Sequence, residues 1–272
     1  MNHLKLLQLL QDNRRAFTPV EARILSKGGD ASIYLYDPIV GSRAAAEWFG
    51  GICPQDFVPA LRALEADRIT LYTNCPGGDV FAAEAMCQAL REHPAKITMQ
   101  IEGYAASAAT SIACACDEVT ATKGSKYMIH QSWTFAMGNA DDLSGVVELL
   151  RKCDGTMYDE YMAKTGKGRA QIEAWCRAET WFTASQAKEQ GFIDSILESA
   201  KPSAQAPDWN LSAYANAPKA EQAMATAEHR DRQAQRLRTL ALLAPPRTHN
   251  PNTRTAPQAA LSCPANALTA PP

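Results

Sequence analysis

Between residues 26 and 198, stretches with a two-residue apolar period alternate with longer stretches at helical spacing. Ala31-Ser32-Ile33-Tyr34-Leu35-Tyr36 predicts a first strand, ended by Asp37-Pro38. Ala44 to Trp48 and Pro54 to Ala66 predict helical turns, and Ile69 to Asn74 a second strand running into Cys75-Pro76-Gly77-Gly78. In Val80 to Glu92 the residues Val80, Ala83, Cys87 and Leu90 share one helical face, and His93-Pro94 ends that helix. Ile97 to Gly103 predicts a third strand, followed by a small-residue helix over Ala105 to Cys116. Glu118 to Ala121 and Lys126 to His130 predict short strands, Asp142 to Thr165 a long helix, and Arg169 to Cys176 and Ala184 to Gln190 two more. Strands and helices in this order imply an α/β fold, with parallel strands joined by crossover helices.

The flanks differ from this zone. Residues 1–25 predict a short amphipathic helix and a linker. The apolar run there lacks a cleavage site and is too short to span a bilayer. Residues 199–272 form an Ala- and Pro-rich tail, expected to be largely disordered, with a possible helix at 220–243 carrying Arg230, Arg232, Arg236 and Arg238.

Composition narrows the chemistry. A formal net charge of −2 and the absence of a Lys/Arg run give no push toward nucleic acid or membrane. The eight cysteines show no paired Cys-x-x-Cys spacing, so no metal site is expected; Cys114 and Cys116 sit in the Ala-rich helix as buried thiols. Scattered thiols and no export signal point to a reducing, cytoplasmic setting. There is no Gly-x-x-x-x-Gly-Lys-Ser/Thr loop, and no cofactor is expected.

Among His3, His93, His130, His229 and His249, only His130 ends an apolar strand, where a sheet edge would hold it. Gly103-Tyr104-Ala105-Ala106-Ser107-Ala108 follows a strand and opens a helix, which puts Ser107 near free backbone N–H groups. The bland reading makes Ser107 a helix cap and His130 a packed core residue. Pro76-Gly77-Gly78-Asp79 supplies a turn where backbone can approach a reacting group without a side chain in the way, or simply an ordinary glycine turn. Together, a hydroxyl, an imidazole and bare backbone donors are the parts of a serine nucleophile site.

Asn74-Cys75-Pro76-Gly77-Gly78-Asp79-Val80, Gly103-Tyr104-Ala105-Ala106-Ser107-Ala108 and Met128-Ile129-His130-Gln131, in this order and spacing, resemble the Clp protease proteolytic subunit family (ClpP, peptidase S14). Gly78-Asp79-Val80-Phe81 and Gly138-Asn139-Ala140-Asp141-Asp142-Leu143 look closer to the relatives in tailed phages and prophages that mature the virus head. The resemblance runs over about 28–197 and includes Glu179-Thr180-Trp181-Phe182-Thr183-Ala184 and Gly191-Phe192-Ile193-Asp194. It implies a ClpP/crotonase-like fold of repeated β-β-α units, with a peptidase domain over 26–198 and a long ring-contact helix from Asp142. It also implies a serine endopeptidase with Ser107 as nucleophile, His130 as base, and the N–H groups of Gly78 and Ala108 as oxyanion donors. The third position, an aspartate in the cellular enzymes, is Glu179 here. Glu179 either orients the imidazole or pairs with a surface cation, with Asp154 as the weaker candidate acid. The substrate is expected as a strand between Asp79, Val80 and Phe81 on one side and Gln131, Ser132 and Trp133, on to Phe135, on the other. Trp133 and Phe135 either line a specificity pocket or pack between subunits.

The resemblance further implies a homo-oligomeric ring, heptamer or double heptamer, acting on polypeptides. Capsid or scaffold processing inside a procapsid is the first reading. An ATP-dependent degradative subunit docked to an AAA+ unfoldase is the alternative, and an acyl-CoA enzyme or a non-catalytic shell protein comes behind. The tail is long enough to invite self-cleavage.

Overall fold

Two long parallel strands form the centre of the sheet, β3 (Arg68–Cys75) and β4 (Lys96–Ala106). In this computed structural model, which describes residues 5–198 and 209–218, the strand order is β1-β2-β3-β4-β5-β8. The other strands are β1 (Ile24–Lys27), β2 (Asp30–Leu35), β5 (Glu118–Thr122), β6 (Lys126–Ile129), β7 (Thr180–Thr183) and β8 (Ser195–Leu197). β2, β3, β4, β5 and β8 are parallel, while β1 returns antiparallel on β2. β4 is long enough for two partners. Its first half pairs with β5, from Thr98 opposite Glu118 to Ile101 opposite Ala121. Its second half pairs with β6, from Tyr104 opposite Lys126 to Ala106 opposite Met128. β7 then pairs antiparallel with β6.

The helices are α1 (Lys5–Asp12), α2 (Arg43–Phe49), α3 (Pro54–Arg62), α4 (Val80–Glu92), α5 (Ala108–Cys114), α6 (Ala140–Thr165), α7 (Arg169–Arg177) and α8 (Ala184–Gln190). The α/β class and the boundaries of α4 and α8 match the sequence expectation. Several elements differ. α3 ends at Arg62, short of Ala66. β4 runs on to Ala106, so the next helix starts at Ala108 rather than Ala105 and Ser107 sits at the junction. β7 and β8 are strands that the apolar pattern does not predict, because three or four residues are too few to set a period.

Ile69, Leu71, Ile97, Met99 and Ile101 point from β3 and β4 into one core, against Phe57 and Leu61 of α3 and Met86 and Leu90 of α4. The other face of the sheet is half-covered, as its alternating burial shows. At the ends of β4 and β6, Leu9 of α1 and residues 209–214 close over Ala106 and Met128. These last residues belong to what the sequence suggests is a solvated tail; Trp209, Leu211, Ala213 and Tyr214 are instead buried. The expected helix at 220–243 lies outside the described residues. Cys53, Cys75, Cys87, Cys116 and Cys176 are free and buried, and burial pushes the Cys75 thiol up to about 12. No helix among the described residues is long and apolar enough to cross a membrane.

Leu71 is fully buried between the helices and the neighbouring strands. Leu71→Ala is expected to lower unfolding free energy by about 2–5 kcal/mol, read from the urea midpoint at unchanged slope.

Candidate active site

The split partnership of β4 brings Ser107 beside the end of β6. The Ser107 amide donates to the Met128 carbonyl at 2.9 Å, two residues before His130. Ser107 adopts φ 55° and ψ −127°, a conformation that side chains rarely accept. It is held there by its own carbonyl, which accepts from the Thr110 amide at 2.8 Å and from Thr110 Oγ1 at 2.5 Å. Thr110 Oγ1 in turn lies 2.6 Å from the buried Tyr161 hydroxyl of α6. The sharp turn presents the hydroxyl outward, and His130 Nε2 lies 2.7 Å from Ser107 Oγ. Ser107 and His130, picked from separate motifs, are thus in hydrogen-bonding contact.

Gly77 and Gly78 approach this pair from β3. Both have positive φ, 97° and 148°. A Cβ on Gly78 would lie 1.9 Å from the Ile39 carbonyl oxygen, and one on Gly77 would lie 2.6 Å from the Ala106 carbonyl oxygen and 2.7 Å from Ser107 Cβ. Only glycine fits at either position. The loop is clamped by the Ile39 amide on the Gly77 carbonyl and the Asp79 amide on the Ile39 carbonyl, each 2.9 Å.

The two walls expected to hold a substrate strand are unlike each other. Gln131 and Ser132 follow the end of β6 and are pinned by two hydrogen bonds. The Gln131 amide donates to the Cys176 carbonyl at 3.2 Å, and the Ser132 amide donates to Asp154 Oδ1 at 2.7 Å. Asp154, the weaker candidate acid, therefore anchors the strand wall. Across the cleft, Asp79 is the N-cap of α4, its side chain accepting from the Ala82 amide at 2.8 Å. Val80 and Phe81 are the first turn of that helix rather than a free strand edge, and they meet the cleft through their side chains. Between the walls lies a cavity of about 150 Å³ reaching from Ser107 and His130 past Val80, Phe81, Cys153 and Met157. Trp133 borders it, while Phe135 points to solvent at 51% exposure. Ser111 and Glu160 are at its other end, where Arg91 bonds Glu160 at 2.5 Å and Glu84 at 3.1 Å. Burial raises the Glu160 carboxyl above the usual carboxylate range, partly offset by Arg91.

Glu179, expected to orient the imidazole, is described with a different set of partners. It sits between α7 and β7 with φ 49°. Its carboxylate accepts from the Asn216 amide at 2.6 Å, the Ala215 amide at 3.1 Å and Trp181 Nε1 at 3.4 Å. These described bonds run to residues 215–216 and Trp181 rather than to His130. The ring that does face His130 from this side is Tyr214, edge-on at 5.5 Å and 80°. Its hydroxyl donates to the Pro76 carbonyl at 2.5 Å. Burial pushes that hydroxyl above the ordinary tyrosine range, and a hydrogen bond with the Ser107 side chain offsets part of the shift. The sequence reasoning passes over Tyr214; the one available signal is a Trp209 and a Tyr214 within an otherwise aromatic-poor tail.

Asp154 is buried and holds the wall segment through one short bond. Asp154→Ala frees the Ser132 amide, so it is expected to raise KM for a peptide substrate by about 10- to 100-fold, the range that ~1.5–3 kcal/mol for a charge-assisted bond gives, with a smaller change in kcat.

Known proteins resemble this chain over the same region. Residues 53–200 match the profile of the Clp protease family. The chain is 33% identical over 172 residues to the ATP-dependent Clp protease proteolytic subunit 1 of Corynebacterium jeikeium, covering 60% of this chain and 88% of that one. It is 30% identical to proteolytic subunit 2 of Corynebacterium diphtheriae, covering 60% and 82%, and to subunit 1 of Mycobacterium tuberculosis strain H37Rv, covering 58% and 80%. The fold is similar to that of a ClpP1 mutant from Listeria monocytogenes, with a TM-score of 0.52 at 20% identity over 62% of this chain and 91% of that one. With a serine and a histidine in contact beside a double-glycine loop, and with these relatives, the chain belongs to the Clp protease family and is a serine peptidase.

Proposed function

We propose that this chain is an endopeptidase in which Ser107 is the nucleophile and His130 the general base. The observation that carries this reading is the 2.7 Å contact between Ser107 Oγ and His130 Nε2 on a strained junction that exposes the hydroxyl. As Ser107 Oγ adds to the scissile carbonyl, its proton passes to Nε2. The Gly78 and Ala108 N–H groups are the donors assigned to the oxyanion. Collapse breaks the C–N bond, and His130 returns the proton to the leaving amine. A water molecule then adds to the acyl-enzyme with His130 again taking its proton, and the carboxylic acid product departs with Ser107 restored. With the Gln131 and Ser132 amides taken by the Cys176 carbonyl and Asp154, an extended polypeptide would pair with the carbonyls of this wall, and the cavity beyond Phe81 and Met157 takes an apolar side chain.

Assembly into a ring is supported by α6. Its first half buries little in a single chain: Leu143, Val147 and Leu149 are 41%, 45% and 47% exposed. The relatives are named as subunits of ATP-dependent proteases, which favours a degradative subunit fed by an AAA+ unfoldase. Processing of capsid or scaffold proteins in a phage head is a second reading, favoured by the segment beyond residue 200, outside the family match. Degradation of a folded, tagged substrate only with an unfoldase and ATP supports the first role. Cleavage of neighbouring capsid or scaffold proteins without ATP supports the second.

A fluorophosphonate probe is expected to label Ser107 in the wild type and not in Ser107→Ala. His130→Ala is expected to cut labelling and peptide hydrolysis by about 10³-fold or more, since nucleophile and base act as a unit. An unlabelled wild type in its assembled form would overturn the serine-peptidase mechanism.

A further inference from the structure

We infer that residues 209–218 form a strap belonging to the catalytic apparatus, in which Tyr214 positions His130 and the oxyanion loop while Glu179 acts at one remove by clamping the strap. The inference rests on the Ser107–His130 reading and adds two residues to it.

The strap is fixed by bonds along its length. Trp209 Nε1 donates to the Asn74 carbonyl at the end of β3, at 2.9 Å, and Arg15 stacks on the Trp209 ring at 4.0 Å. Asn13 and Asn210 bond reciprocally: Asn13 Nδ2 donates to the Asn210 carbonyl at 2.8 Å, and the Asn210 amide to Asn13 Oδ1 at 2.7 Å. At the far end the Ala215 and Asn216 amides donate to Glu179, and Asn216 Nδ2 donates to the Ala178 carbonyl at 2.8 Å. Tyr214 lies between these anchors, 4% exposed.

That single side chain touches three parts of the site. Its hydroxyl holds the Pro76 carbonyl, directly before Gly77 and Gly78. Its ring faces the His130 imidazole and packs against Trp181, edge-on at 5.7 Å. The same hydroxyl lies 3.2 Å from where a Cβ on Gly77 would stand, beside Ser107 Cβ. The strap's described bonds are to β3, the Pro76 carbonyl, α1 and the α7–β7 junction, not to the walls at Val80 or Ser132, and Tyr214 borders the cleft that runs from Ser107 to Met157. Placement of this kind fixes a base and a donor loop relative to a nucleophile, where small displacements cost large factors in rate.

The test uses full-length variants and two readouts: steady-state peptide hydrolysis, and the pH dependence of fluorophosphonate labelling of Ser107. Tyr214→Leu and Glu179→Ala are each expected to lower kcat by about 10²-fold with KM little changed. The double variant should be no slower than either single one, because both act through one strap. Tyr214→Phe keeps the ring against His130 but loses the bond to the Pro76 carbonyl, so it should recover only part of the activity lost in Tyr214→Leu. Glu179→Gln is the discriminating change. A clamp keeps a carbonyl oxygen for the Asn216 amide, so the loss is under tenfold and the pH midpoint of labelling is unmoved. A carboxylate that stabilises the imidazolium directly would lose about 10⁴-fold, as amide for acid does in such triads, with the midpoint lowered. That result, additive losses in the double variant, or unchanged or faster hydrolysis by Tyr214→Leu would overturn the inference. Failure of the wild type to label would overturn the underlying mechanism instead.

Discussion

The amide of Ser107 bonded to the carbonyl of Met128 is the contact on which the site depends. It extends the β4–β6 ladder by one rung past Ala106 opposite Met128, so the nucleophile is placed by sheet register rather than by loop packing. β6 ends at Ile129, and the next residue is the base. A slip of one residue in this pairing would turn one of the two side chains to the opposite face from the other. The long β4 makes the register possible, because β5 occupies only its first half and leaves the second for β6.

That economy leaves strain at the junction. A serine at φ 55° costs on the order of 1–3 kcal/mol relative to relaxed backbone. The surroundings over-determine it: the Ser107 amide and carbonyl are both bonded, and Thr110 links the turn to Tyr161 on α6. The glycines of the neighbouring loop have the complementary task. Ser107 must carry a side chain where glycine would be easier, whereas Gly77 and Gly78 must carry none because the Ala106 and Ile39 carbonyls occupy the space. These opposed requirements hold three backbone segments within bonding distance of one another.

How much of this is legible in the sequence divides by range. α4 is readable because Val80, Ala83, Cys87 and Leu90 repeat over a long run between an Asp79 cap and His93-Pro94. Ser107 and His130 are readable as chemistry because each follows a strand pattern, and the motif order resembles a known family. The sequence pattern misplaces the Ser107 junction by three residues, since Ala105 and Ala106 suit a helix by propensity while sheet pairing claims them as strand. β7 is invisible because its four residues gain their strand geometry from β6. The strap is the largest omission. Trp209 to Pro218 has no period of two or 3.6, and its bonds go to Asn13, Asn74, Pro76 and Glu179, far away in sequence.

The departure at position 179 and the strap are one feature rather than two. Aspartate is the residue that the family resemblance leads one to expect there, and a short acid at that point holds its charge close to the backbone. Glutamate adds one methylene, and Glu179 with φ 49° directs the longer arm to the amides of residues 215 and 216. A charged acceptor shared by two backbone donors is among the stronger anchors available to a segment without regular structure. The bond geometry therefore ties the extra methylene to the extra segment: shortening the acid would withdraw it from the strap, and removing the strap would leave the longer acid without its two amide donors. Tyr214 stands at the point where that coupling meets the imidazole, so the residue beyond the family's shared core is the one that touches the family's shared chemistry.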